Sequence, residues 1–284
     1  MSADARFRAH LQALVGERHP VSSPDRLKQA EDYLAEEFRR LGLSVLRHAF
    51  EVFGTTYVNV VGTLGGRQET APVVLAAHYD TVAGSPGADD NASALAVLLE
   101  VAHRLNARPV HRPIRFIAFC LEEDHLRGSR AYTDHLAATG QPITGAVVME
   151  CVGYARDEPD SQRIPPGIPI PVPSTGNFLA VIGNQASAAF TRHVSDNLLA
   201  HVPVVPLIVP GNGEQLPDTR RSDHTSFWEQ GFPAVMLTDT ANFRNPHYHR
   251  PTDTLDTLNL DFMVAVADGV TATVLALAEP QGAA

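Results

Sequence analysis

Cysteine is scarce: Cys120 and Cys151 are the only two in 284 residues. Two thiols do not make a disulfide framework, and a cytoplasmic setting is the simplest reading. Basic charge is short as well. Lys and Arg total 22 against 32 Asp and Glu, for a formal charge of −10. Proteins that grip a phosphate backbone use clusters of Lys and Arg, so no nucleic-acid partner is expected. Apolar runs are short: none approaches the ~20 residues that a bilayer crossing needs, so no membrane contact is expected. The opening stretch, MSADARFRAHLQALVGERHP, has no apolar segment of the kind a secretory leader carries. Internal repeats are not visible.

Hydrophobic residues, by contrast, make up 44% of the chain. That suffices for a large core, and residues 1–284 read as one domain. SSPDRLKQAEDYLAEEFRRLGLSV predicts a helix, with Ser23 as cap, Pro24 in the first turn and Gly42 as the stop. TYVNVVGTL and VVLAAHYD predict strands rich in β-branched residues. Asn91 to Arg104 is apolar nearly all round, as in a buried helix. IRFIAFCLEE and GAVVMECVGY are further strands, each with acid at its end. FLAVIG, SAAFTRHVSDNLLA and VPVVPLIV read strand, helix, strand; FPAVMLTDT adds a strand and Phe262 to Ala278 a last helix. This alternation predicts an α/β fold: a mixed, mostly parallel twisted sheet with helices on both faces. Apolar runs without alternation, such as Val73 to Ala77, suit strands buried on both sides. The segment Ala155 to Asn177 is too rich in proline for a central strand or helix and reads as a long loop.

Chemistry-bearing residues gather at strand ends. VVLAAHYD ends on His78 and Asp80, and the loop after it carries Asp89 and Asp90. FIAFCL runs into Glu122 and Glu123, and GAVVME stops on Glu150. His247 and His249 lie in the turn-rich NPHYHRPTDTL. Open α/β sheets bind ligands at the carboxyl ends of their strands, so these groups can converge. Charge at the end of a buried strand is costly unless something pairs with it, and a metal is the obvious candidate.

The motifs HYD, GADDNAS, EEDHLRGS, ECVGY, SDHTSFW and NPHYHRPTDTL, in this order, resemble those of the co-catalytic dizinc aminopeptidases. That group contains bacterial leucyl aminopeptidase, glutamate carboxypeptidase and glutaminyl cyclase. The resemblance runs from position 78 to 255 and implies a zinc-exopeptidase fold acting on peptides with two zinc ions per chain. His78 and Glu150 would hold one zinc, Glu123 and His249 the other, and Asp90 would bridge them. Glu122 would be the general base, and Asp80 would stand behind His78. A cis peptide between Asp90 and Asn91 is implied too. The donor types agree with zinc chemistry, which takes imidazole nitrogen and carboxylate oxygen. Glu122 would pass a proton from water to the leaving amine.

Asp223 and His224 read either as groups that support the metal site or polarise the substrate carbonyl, or as the start of a short helix capped by Ser222 or Asp223. Cys120 and Cys151 read as small apolar residues inside strands. The chain departs from the family pattern in having Glu150 where Asp is common, Ala94 for a usual Gly, and His125 for another. His125, at the expected mouth of the site, bears on substrate preference. The expected activity is that of an aminopeptidase. A single-zinc glutaminyl cyclase, a carboxypeptidase of the same fold and a non-catalytic binding protein are the alternatives.

Overall fold

Alternate positions of the runs read as buried strands feed two separate cores. A computed structural model describes residues 2–279. Val73–His78 (β3) is buried at every position. Val73, Leu75 and Ala77 enter one core, and Val74 and Ala76 the other. The remaining strands are β1 (Ser44–Val52), β2 (Thr55–Leu64), β4 (Ile114–Phe119), β5 (Gly145–Glu150), β6 (Leu179–Asn184), β7 (Val204–Val209) and β8 (Ala234–Thr238). Among the described residues all eight join one sheet in the order β1-β2-β4-β3-β5-β8-β6-β7. The central neighbours β4, β3, β5 and β8 run parallel, so their C-terminal ends share one edge of the sheet. Antiparallel β2 extends one side and antiparallel β6 the other.

Helices cover both faces. On the first lie α1 (Ala3–Leu14), α2 (Pro24–Arg40), α3 (Ala94–Leu105), α5 (Ala188–Leu198) and α7 (Leu260–Ala278). Phe7, Leu34, Leu98, Val194 and Val270 pack there with Leu75 and Val147. On the second lie α4 (Arg127–Thr139) and α6 (His224–Glu229), whose Tyr132, Leu136, Phe227 and Trp228 pack with Val74 and Val148. Helix α3 is the most enclosed: every residue from Ala94 to Ala102 is buried. That includes Glu100, which meets Arg6 at 2.6 Å and Arg104 at 2.7 Å. A buried carboxylate is tolerable when paired in this way.

Several expectations are refined. The helix foreseen from Asn91 is α-helical from Ala94; Ala88 to Ser93 form a wider π-type turn, and the Asp90–Asn91 peptide is cis. Ser23 does not cap α2 with its side chain; its Oγ accepts the His19 N–H at 2.8 Å. Residues 155–177 contain neither helix nor strand. Helices α1 and α4 and strand β1 were not foreseen. Helix α7 corrects the expectation that no segment could span a bilayer. It has 19 residues and a mean hydropathy of 1.7, enough by length and composition. Half of that window is buried in the fold, with Met263, Val266, Val270 and Val274 in the core.

Candidate metal centre

The donor residues meet at the shared edge of the central strands. His78 ends β3 and Glu150 ends β5. Glu122 and Glu123 follow β4, Asp90 lies in the turn entering α3, and His249 lies in the turns before α7. Asp90 sits between two groups. Its Oδ1 is 3.2 Å from His78 Nε2, and its Oδ2 is 3.0 Å from His249 Nε2. His78 Nε2 is also 3.3 Å from Glu150 and 3.9 Å from Glu122; His249 Nε2 is 3.3 Å from Glu123. Among the described residues three overlapping sets of potential ligand atoms therefore cluster: His78, Glu122 and Glu150; Asp90, Glu123 and His249; and Asp90, Glu150 and Cys151. Glu122, expected as a base, stands within reach of the first set.

The donor set fits divalent cations. His78 Nδ1 lies 3.2 Å from the Asp80 backbone carbonyl, which only accepts, so Nδ1 carries the proton and Nε2 is left facing carboxylates. His78 Nε2, Asp90 Oδ1 and Glu123 Oε1 are buried without a hydrogen-bond partner. Buried polar atoms are normally satisfied, and nitrogen and oxygen donors converging unpartnered suit zinc.

Backbone hydrogen bonds hold the donors. The Asp80 carboxylate stands beside His78, its Oδ1 3.6 Å from Nδ1. It also accepts the N–H groups of Glu122 and Glu123, at 3.0 and 3.1 Å. This pins the turn after β4, where Leu121 has a positive φ of 59°. Asp253 likewise accepts from the N–H groups of Asp89 and Asp90. Asp89 is a structural acid: it accepts from Gly153 N–H at 2.9 Å and from the Asn245 side chain at 2.7 Å. Ser222 donates to Glu150 Oε2 at 2.8 Å. Arg18 is fully buried under the loop before Asp90. Its guanidinium donates to the carbonyls of Leu14, Gly16, Tyr79, Pro86 and Gly87. Arg18 was missed, because bonds to distant backbone leave no spacing signal; Ser222 and Asn245 stand at the head of quoted motifs, but their bonds to the Glu150 and Asp89 carboxylates were not foreseen. Asp253 lies inside a quoted motif, four residues after His249.

Charge in the cluster is strongly coupled. Burial works against the His78 imidazolium, yet Glu150 and Glu122 beside it hold its pKa well above the ordinary value. His249 is pushed up to about 10: burial opposes its charge, and Asp90 and Glu123 override that. Burial also opposes the Asp90 carboxylate, but His249 and His78 keep it below the usual range. Burial pushes Glu122 well up, and pushes Glu123 up to about 7.

Of the other candidates, Cys151 and Asp223 border the cluster and the rest fall outside it. His247 pairs with Thr252 Oγ1 at 3.0 Å. His224 points into the core, 2.9 Å from the Thr219 carbonyl and edge-on to Trp228 at 4.4 Å. Asp223 is buried, and burial pushes its carboxyl up to about 7. The His125 side chain is 83% exposed, with Asp124 4.0 Å away. Cys120 is buried in the core. Cys151 is buried beside Glu150 and within reach of Asp90. Tyr248, not foreseen, stacks on His249 with centroids 3.9 Å apart and accepts from Arg221 at 3.1 Å.

Residues 59–274 match the model of the family described as peptidase family M28. The chain belongs to peptidase family M28. YfbL of Escherichia coli K12, an uncharacterised protein, is 33% identical over 267 residues, covering 89% of this chain and 81% of YfbL. BSAP, a zinc aminopeptidase from Bacillus subtilis, is 25% identical with a TM-score of 0.64, covering 81% of this chain and 52% of BSAP. The chain thus spans about half of that enzyme. The LapA aminopeptidase of Legionella pneumophila has the same fold, with a TM-score of 0.75 at 21% identity over 98% of this chain and 71% of LapA. So does Porphyromonas gingivalis glutaminyl cyclase, at 0.69 and 19% over 96% and 97% of the two chains. The fold is thus shared by an aminopeptidase and a cyclase.

Proposed function

We propose that this chain is a metal-dependent aminopeptidase that holds two zinc ions and removes N-terminal residues from peptides. The observation that carries the reading is Asp90, with one oxygen turned to each histidine. His78, Glu150 and Asp90 would hold one cation; Glu123, His249 and Asp90 would hold the other. Two such cations supply Lewis acidity toward the scissile carbonyl and toward water. The protein's own groups do the rest. Glu122 takes a proton from the attacking water and delivers it to the departing amine. Asp80 and Asp253 hold the backbone from which Glu122, Glu123 and Asp90 project. Ser222 orients Glu150. The likeness to a zinc aminopeptidase supports this reading over a cyclase, although the fold serves both.

The test is to incubate zinc-loaded protein with Leu-, Ala-, Lys- and Gln-headed peptides and weigh the products. Loss of one residue supports the aminopeptidase. Loss of ammonia from the Gln peptide alone makes it a cyclase. Release of the C-terminal residue from N-acetylated peptides makes it a carboxypeptidase.

A further inference from the structure

Two hollows flank the donor cluster. A small one, of about 70 Å³, is bordered by Glu150 and lined by apolar side chains including Ile168, Ile182, Met236 and Phe243. A wider one, of about 470 Å³, lies toward Glu123 and Asp80, between the turn at His19–Val21 and the β1–β2 hairpin. Its rim is apolar and stands in solvent: Phe53 is 92% exposed and Val21 80% exposed.

Turn chemistry does not account for Phe53. Val52 pairs with Thr55, so Phe53 and Gly54 form a two-residue hairpin turn. Both have positive φ, at 49° and 79°. Such a turn favours Asn or Asp at the first position, where a bulky side chain is strained. Nor does burial account for it, since the ring lies in water. An exposed apolar ring in a disfavoured conformation is held at a cost to stability, and costs of this kind gather at binding sites. The ring is also supported from one side. Arg127 lies over it at 5.1 Å, and Arg127 is fixed by Asp124, itself part of the groove wall, at 2.7 Å.

Resting on the aminopeptidase reading, we infer that this groove takes the peptide on the leaving side of the scissile bond, and that Phe53 selects an apolar residue directly after that bond. The small apolar hollow suits a single side chain, that of the residue removed. The remaining chain has any length and must reach solvent, which the wider groove with its exposed rim allows.

The experiment compares Phe53→Asn with wild-type protein, both zinc-loaded, on leucinamide, Leu-Gly-Gly and Leu-Phe-Gly. Asparagine suits the turn, so the melting temperature is expected to hold or rise. The ratio of kcat/KM for Leu-Phe-Gly to that for leucinamide is expected to fall about tenfold in the variant, on the order of what one lost apolar contact costs in discrimination. Leu-Phe-Gly should also raise the melting temperature of the Glu122→Gln protein more than that of the double variant carrying both Glu122→Gln and Phe53→Asn. An unchanged ratio, or a loss equal on all three substrates, overturns the groove assignment while leaving the aminopeptidase standing. Wild-type protein that cleaves none of the three overturns the aminopeptidase reading and this inference with it.

Discussion

The Asp253 carboxylate receives the backbone N–H of Asp90 at 3.1 Å and that of its neighbour Asp89 at 2.9 Å. An acid on the last long loop thus sets the position of the acid between the two histidines. Asp253→Asn leaves one oxygen as acceptor and puts an amide against an N–H. Zinc affinity is expected to fall about 10- to 100-fold, as for other residues that orient ligands. Calorimetric titration with zinc checks it, and unchanged affinity would contradict the role.

Metal content tests the shared acid directly. Zinc-reconstituted protein is expected to hold two ions per chain by elemental analysis, and Asp90→Ala fewer. A ratio near one that Asp90→Ala does not change would exclude the bridge and favour the cyclase.

Glu122→Gln keeps the side chain's shape but removes its proton acceptor. Turnover is expected to fall by about 10² to 10⁴ with zinc content unchanged. Glu123→Gln is expected to weaken the binding of one metal instead. Because Glu122 also lies within ligand distance of His78 and Glu150, metal analysis of both variants decides the roles. Zinc lost from Glu122→Gln and kept in Glu123→Gln would reverse them.

His224 gives an acid-sensitivity prediction away from the donors. Burial lowers its pKa to about 4, against an ordinary value of ~6.5 in the unfolded chain. The folded state therefore prefers neutral imidazole. Its contribution is complete above pH ~6.5 and is lost as pH falls toward 4, where the unfolded chain binds the extra proton. The gap corresponds to roughly 3 kcal/mol. In His224→Gln, denaturant unfolding at pH 7 and pH 4 should show a pH-dependent loss smaller by about that amount. Equal losses in both proteins would refute it.

The fold was legible where composition was extreme. Val73–His78 and Gly145–Glu150 are apolar at nearly every position and prove buried throughout. Strand β1 was not legible, because it lies at the sheet's edge with mixed exposure and carries Arg47, His48 and Glu51. Helix α4 mixes Arg, Ser, Asp and His along its length, which hides its apolar stripe of Tyr132 and Leu136. At the site, the seven residues singled out by motif order do converge, and His249 is drawn in where His247 is not. Asp80 stands beside His78, 3.6 Å from its Nδ1, but its carboxylate also turns to two N–H groups after β4, which spacing did not reveal. Partners of that kind are set by tertiary structure and leave no trace in local spacing.

The family match begins at residue 59, yet Arg18 lies well before it. Its guanidinium stays charged, with a pKa lowered by burial only to about 10, and three of the carbonyls it gathers, those of Tyr79, Pro86 and Gly87, belong to the loop that leads to Asp90. The stretch that the family model matches is therefore shorter than the stretch that keeps the metal centre in shape. A fragment cut at the edge of the match would retain every donor and lose the clasp beneath one of them.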